Sequence, residues 1–201
     1  MTTSSETADV TATAILDAVL NRRSPAKFTD ESPPRALIET LIQAAVRAPN
    51  HHRNEPWRFF VLTGGAREQL GEVCAERLKA DMASPDDAEN VAALTRERAK
   101  PLRAPVVIAV ASVKTDNPKA LFEEDLAATA AAIENMLTVA PALGLVAFWR
   151  TGDAVNDPRV KAHFGLQTDD RLVGFVYVGY PEIMGKLTPR RDVSETTTWL
   201  G

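Results

Sequence analysis

Cysteine is all but missing. Cys74 is the single thiol in 201 residues, so no internal disulfide can form and one chain cannot build a thiolate metal cluster. Histidine is scarce too, with three residues. His51 and His52 are adjacent, and neighbours on a helix point to different faces, so a metal pair from these two is poorly supported and no metal is expected. There is no excess of positive charge: the formal net charge is −4, which argues against a broad nucleic-acid or anionic-membrane surface. The start, MTTSSETADVTAT, has neither the basic nor the apolar region of a secretory signal. No apolar run stands out as a bilayer span, and a cytoplasmic location is expected. Catalytic signatures are absent as well. The chain has no GxSxG elbow, no HExxH, no Walker A loop and no GxGxxG, which leaves out the chemistries tied to those motifs, a Rossmann dinucleotide site among them.

What is present is an ordinary globular balance, 45% apolar and 25% charged. Residues 1–11 read as a flexible tail, and 12–201 as a single α+β domain with a central mixed, mainly antiparallel sheet flanked by helices. A first helix carries Ile15, Leu16, Val19 and Leu20 on one stripe and ends near Asn21. RRSPAKFTDESPP reads as an irregular connector. Ser32 is expected to cap the next helix with Pro33 in its first position, and that helix runs to about Arg47. Strands are expected at 57–62, 105–112, 145–150 and 171–180. The 105–112 run is continuously apolar, as in a strand buried on both faces. Charged helices fill 66–100. The longest helix spans 121–143 and has an alanine-rich middle that another helix could approach, either in a second copy or within the same subunit. A short helix covers 157–163, and the tail from Lys186 shows no periodicity.

Three loop segments hold arginine beside polar or aromatic residues. Arg22, Arg23 and Ser24 follow the first helix. Two guanidinium forks and a hydroxyl suit a phosphate, while arginines at a helix end are also ordinary caps favoured by the helix dipole. RAPNHHRNEPW, residues 47–57, is either a polar presenting loop or a plain helix-to-strand connection. In FWRTG, residues 148–152, Trp149 could pack on a planar ring while Arg150 meets an anion, or both could lie at a sheet edge. Cys74 reads as a core residue.

Taken in order, NRRS (21–24), RAP (47–49), His51, Pro56-Trp57, WRTG (149–152) and the G-x-P of 179–181 resemble the nitroreductase family, in particular its compact YdjA-like branch. The resemblance implies a homodimer with a shared helical core that binds FMN at the dimer interface. It implies an NAD(P)H-dependent FMN oxidoreductase that reduces nitroaromatics, quinones or similar small acceptors by a ping-pong mechanism. NADH or NADPH is the donor, and the chemistry sits on the flavin N5, so no catalytic side chain is assigned. A flavin-binding or storage protein without turnover is the alternative on the same fold. By this resemblance Arg22, Arg23 and Ser24 contact FMN through its phosphate or polar edge. Arg47 and His51 reach it from the second copy. Trp149, Arg150 and Thr151 line it, and Arg190 lies by the phosphate. The chain departs from the family pattern at Arg53, where asparagine is common, at Glu55, in place of glutamine, and at Ala26, in place of lysine. Glu55 is expected to pair with Arg53 or Arg58.

Overall fold

The central strand explains the rest of the architecture. Val106–Ser112 (β3) is buried at all seven positions, and its side chains alternate between two cores. Val106, Ile108 and Val110 join one cluster, while Val107, Ala109 and Ala111 join the other. Alternation of this kind is what a strand sandwiched between two layers produces. The structure is a computed structural model describing residues 13–201; the expected tail at 1–11 lies outside the described residues.

A helix over residues 13–20 (α1) leads to Pro25–Phe28 (β1), Arg35–Ala45 (α2), Trp57–Leu62 (β2), Gly65–Ala80 (α3) and Ala88–Ala99 (α4). After β3 come Phe122–Val139 (α5), Val146–Arg150 (β4), Pro158–His163 (α6), Arg171–Gly179 (β5) and Pro181–Met184 (β6). The four-stranded sheet has the order β2-β3-β5-β4, and β1 and β6 form a separate ribbon. Every pairing is antiparallel, in keeping with the mainly antiparallel sheet expected. One face of the sheet packs on α2 and α5 through Ile38, Leu41, Ile133 and Met136. The other is covered through Leu70 and Cys74 of α3 and Val160 of α6. Cys74 is indeed a core residue, and burial pushes its thiol up to about 11.

The structure corrects the sequence reading in four places. The connector after Ser24 contains β1, which pairs with β6 inside the supposedly featureless tail; a four-residue strand beginning with proline and an all-exposed partner leave no alternation to read. Ser32 does not cap α2. The helix starts at Arg35 with Pro34 extended at φ −57, ψ 145, because a residue that precedes proline, here Pro33, is pushed out of the helical region. The long helix stops being α-helical at Val139 and finishes as a 3-10 turn over Ala140–Leu143, since Pro141 has no N–H to continue the ladder. Finally, Phe122–Leu143 is long and apolar enough to cross a bilayer by length and composition, at a mean hydropathy of 1.4. Here it is the core helix, with Ala128, Ala132, Ile133, Met136 and Leu137 buried against the sheet side.

Gly174 holds the outer strand in place. A Cβ there would lie 2.2 Å from Trp149 Nε1 and 2.8 Å from the Arg150 carbonyl oxygen. Gly174→Ala is therefore expected to cost about 1–3 kcal/mol through overpacking and to shift tryptophan emission as the Trp149 indole moves. Urea unfolding followed by fluorescence checks both.

Candidate functional site

The β1–β6 ribbon sets up a concentration of positive charge. By pairing Pro25 with Met184, it brings the chain just before β1 beside the chain just after β6. Between them lies a cavity of about 740 Å³, lined by Arg22, Arg23, Ser24, Lys186, Thr188 and Arg190 as well as Glu134 of α5. The resemblance puts Arg22, Arg23 and Ser24 at the FMN phosphate or polar edge and Arg190 by the phosphate, and the fold brings all four to one cavity. Sequence reading missed Lys186 and Thr188, four and two residues before Arg190. It also missed Glu134, which lies on a helix read only for its apolar stripe.

Four cations thus surround one carboxylate. Arg22 Nε is 3.4 Å from Glu134 Oε1, and the Glu134 side chain is half exposed. Arg23, Lys186 and Arg190 have no carboxylate partner among the described residues, and the Ser24 and Thr188 hydroxyls make no hydrogen bond there. Unpaired cations and free hydroxyls converging on a cavity of this size fit a phosphorylated ligand.

Arg47 and His51 lie elsewhere. The loop after α2 is tied to α5: Asn135 Nδ2 donates to the Ala44 carbonyl at 3.0 Å, His51 Nδ1 is 2.6 Å from Glu124 Oε2, and Asn54 Nδ2 donates to the buried Asp125 Oδ1 at 2.9 Å. Glu124 and Glu134 are ten residues apart, so the partners of His51 and Arg22 lie about 15 Å apart along α5, and neither His51 nor Arg47 lines the Arg22 cavity. The loop is strained: His52, Arg53 and Glu55 all have positive φ, at 55°, 56° and 46°, and each such residue costs on the order of 1–3 kcal/mol. The same turn stacks the rings of the two histidines, at 3.8 Å between centroids. Glu55 forms no ion pair with Arg53 or Arg58. Its side chain is exposed, so no buried charge demands one, and Arg58 Nη1 instead donates to the Trp57 carbonyl at 2.8 Å.

The third segment splits across the sheet. Trp149 is half-buried on the α5 face, its Nε1 donating to the Val173 carbonyl at 3.4 Å. Arg150, one residue on, projects to the opposite face, where its guanidinium lies 5.0 Å from the Phe148 ring centroid and 5.8 Å from that of Tyr177. Strand alternation thus points the two side chains to opposite faces of β4. Thr151 is exposed at the strand end.

Comparison with known proteins identifies the family. Residues 19–180 match the model of the Nitroreductase family. The YdjA protein of Escherichia coli (strain K12), which carries NAD(P)H nitroreductase in its name, is 32% identical over 168 residues, 84% of this chain and 88% of the relative. A nitroreductase-like family protein from Bacillus cereus superposes with a TM-score of 0.78 at 27% identity, covering 92% of this chain and 95% of that one. NfnB from sphigopyxis sp. strain HMH, titled an FMN and NADPH-dependent nitroreductase, has a TM-score of 0.70 at 21% identity over 93% of this chain and 99% of its own, a likeness of fold.

Proposed function

Since the chain belongs to the nitroreductase family, we propose that it is an FMN-dependent oxidoreductase working as a cytoplasmic homodimer, with residues 12–201 as one FMN-binding domain. NADH or NADPH is the donor, and nitroaromatics, quinones or similar small molecules are the acceptors, taken in turn at one open face. The net reaction moves a hydride from NAD(P)H, with a proton from solvent, onto the acceptor and leaves NAD(P)⁺. The observation that carries this reading is the cavity in which Arg22, Arg23, Lys186 and Arg190 converge.

Bound FMN supplies the hydride-accepting and hydride-donating ring. The chain's residues bind and orient it. Arg22, Lys186 and Arg190 hold the phosphate, with hydroxyl donors from Ser24 and Thr188. Arg23 places positive charge at the polar edge of the ring. Trp149 and Thr151 line the ring, Arg150 contributes only its main chain, and Arg47 and His51 close over it from the second copy.

Two exposed apolar surfaces support the homodimer. Ile15, Leu16, Val19 and Leu20 of α1 are 55–68% exposed, and Trp199 and Leu200 are more than 90% exposed. Apolar groups clustered in this way mark an association surface. Sedimentation of a flavin-loaded monomer would remove the dimer from this account.

The direct test is titration of the purified protein with FMN, followed by NADH and NADPH oxidation with a nitroaromatic acceptor. A chain that stays colourless and gains no thermal stability from FMN refutes the reading. Glu134 offers a finer check. It competes with phosphate for Arg22, so Glu134→Gln is expected to tighten FMN binding, by no more than about fivefold because the pair is partly solvated. Fluorescence titration of the two proteins side by side measures the difference.

A further inference from the structure

On the proposed reading, in which FMN meets only the Arg150 main chain, the Arg150 side chain is left over for another ligand. Its guanidinium, laid over Phe148 and Tyr177, opens onto a cavity of about 370 Å³ between β1, the turn Lys100–Arg103 and β4. Lys27, Asp30, Arg103 and Tyr177 share its lining. No residue is common to this cavity and the one around Arg22, and the two faces of β4 separate Arg150 from Trp149.

The charges of the cavity do not balance internally. Lys27 is held by Glu182 at 2.8 Å. Arg103 and Arg150 have no carboxylate partner among the described residues, and Asp30 is exposed at the rim. One net positive charge is left over, carried by two guanidiniums. The neighbouring hollow behind Arg150, about 280 Å³, contributes no further unpaired cation: Lys100 pairs with Glu97, and Arg77 is surrounded by Asp81, Asp153 and Asp157.

Tyr177 adds a donor. Its hydroxyl has no hydrogen-bond partner among the described residues, and burial pushes its pKa up to about 12 while Arg150 and Arg103 pull the other way. The phenol therefore stays protonated at neutral pH and lies close to both guanidiniums. The remaining wall is apolar, from Phe28 and Leu102.

We infer that this cavity is a binding site for a small aromatic monocarboxylate, its carboxylate held by Arg103 and Arg150 and its ring against Phe28 and Leu102. A guanidinium fork matches a carboxylate in bidentate fashion. An arginine already stacked on two rings is oriented before the ligand arrives. One surplus charge suits a monoanion better than a phosphate dianion. The volume lies at the small end of ligand pockets, about 300–1,000 Å³, which suits a one-ring ligand rather than a dinucleotide.

Calorimetric titration with benzoate tests this, on protein held in excess FMN so that the flavin cavity is filled. Saturable benzoate binding is expected. Benzyl alcohol, a neutral analogue, should bind at least tenfold more weakly, and inorganic phosphate should bind more weakly than benzoate. Arg103→Gln, at an exposed position, should weaken benzoate about tenfold or more and leave FMN affinity unchanged. Arg150→Lys keeps the charge and loses the fork, so a severalfold loss is expected. Benzoate affinity equal in Arg103→Gln and the parent would put the carboxylate elsewhere and overturn the proposal. So would benzyl alcohol or phosphate binding as tightly as benzoate.

Discussion

Replacing Arg22 and Arg190 together with alanine is expected to weaken FMN binding by about 10²–10⁴-fold. Each guanidinium–phosphate contact is a charge-assisted hydrogen bond worth about 1.5–3 kcal/mol, and tenfold in affinity corresponds to about 1.4 kcal/mol. The lower bound applies if Lys186 and Arg23, which line the same cavity, take over part of the phosphate; close neighbours are not additive. Losing Arg22 does further harm by leaving Glu134, its carboxylate partner at 3.4 Å, facing the incoming anion alone. The fold itself should be nearly indifferent, since an ion pair with one half-exposed member contributes about 1 kcal/mol at most. Flavin fluorescence titration beside thermal melts of the flavin-free protein separates the two effects, with Arg96→Ala on exposed α4 as a control for lost charge. Affinity within threefold of the parent would mean that the phosphate is held elsewhere.

Gly185→Ala is expected to damage stability and flavin affinity together without touching a charge. A Cβ at Gly185 would stand 2.1 Å from the Ser24 carbonyl oxygen and 3.3 Å from its carbon. Both obstacles are main chain, so no rotamer change relieves them, and the strand ends of β1 and β6 have to part. Overpacking of this kind costs about 1–3 kcal/mol. The parting moves Arg22, Arg23 and Ser24 away from Lys186 and Arg190, so FMN affinity should fall by about tenfold or more. Gly65→Ala is the matching control: nothing lies within 4 Å of its Cβ, it opens α3, and alanine there is neutral or slightly stabilising. Parent-like affinity in Gly185→Ala would show that the ribbon does not set the spacing of the cavity.

The sheet could be read from the residues because burial writes itself into side-chain type. β2 matches its expected bounds, 57–62, and β3, β4 and β5 begin or end within one residue of theirs. The ribbon could not be read. All four residues of β6 are exposed, so hydrophobic alternation, the usual mark of a strand, has nothing to record. That gap explains why Lys186 and Thr188 went unnoticed: their tie to Arg22 runs through main-chain pairing, which no local pattern announces. The 50–55 loop shows a different failure. His51 and His52 could be read as loop residues but not as a stacked pair, because the left-handed turn that brings their rings together, His52 at φ 55°, leaves no mark in residue type. The likeness of NRRS and WRTG to known motifs drew attention to these stretches, but it could not say that Arg150 points away from Trp149.

The pairing of β1 with β6 joins residues about 155 positions apart, as in Lys27 with Glu182. On a ribosome the two halves of the phosphate cradle are made at opposite ends of the synthesis cycle. A nascent chain can therefore settle its sheet and both cores, which lie within residues 28–178, before it is able to grip a cofactor. A chain that ends before Lys186 lacks half of the proposed cradle and is expected to hold FMN weakly even where its sheet is complete.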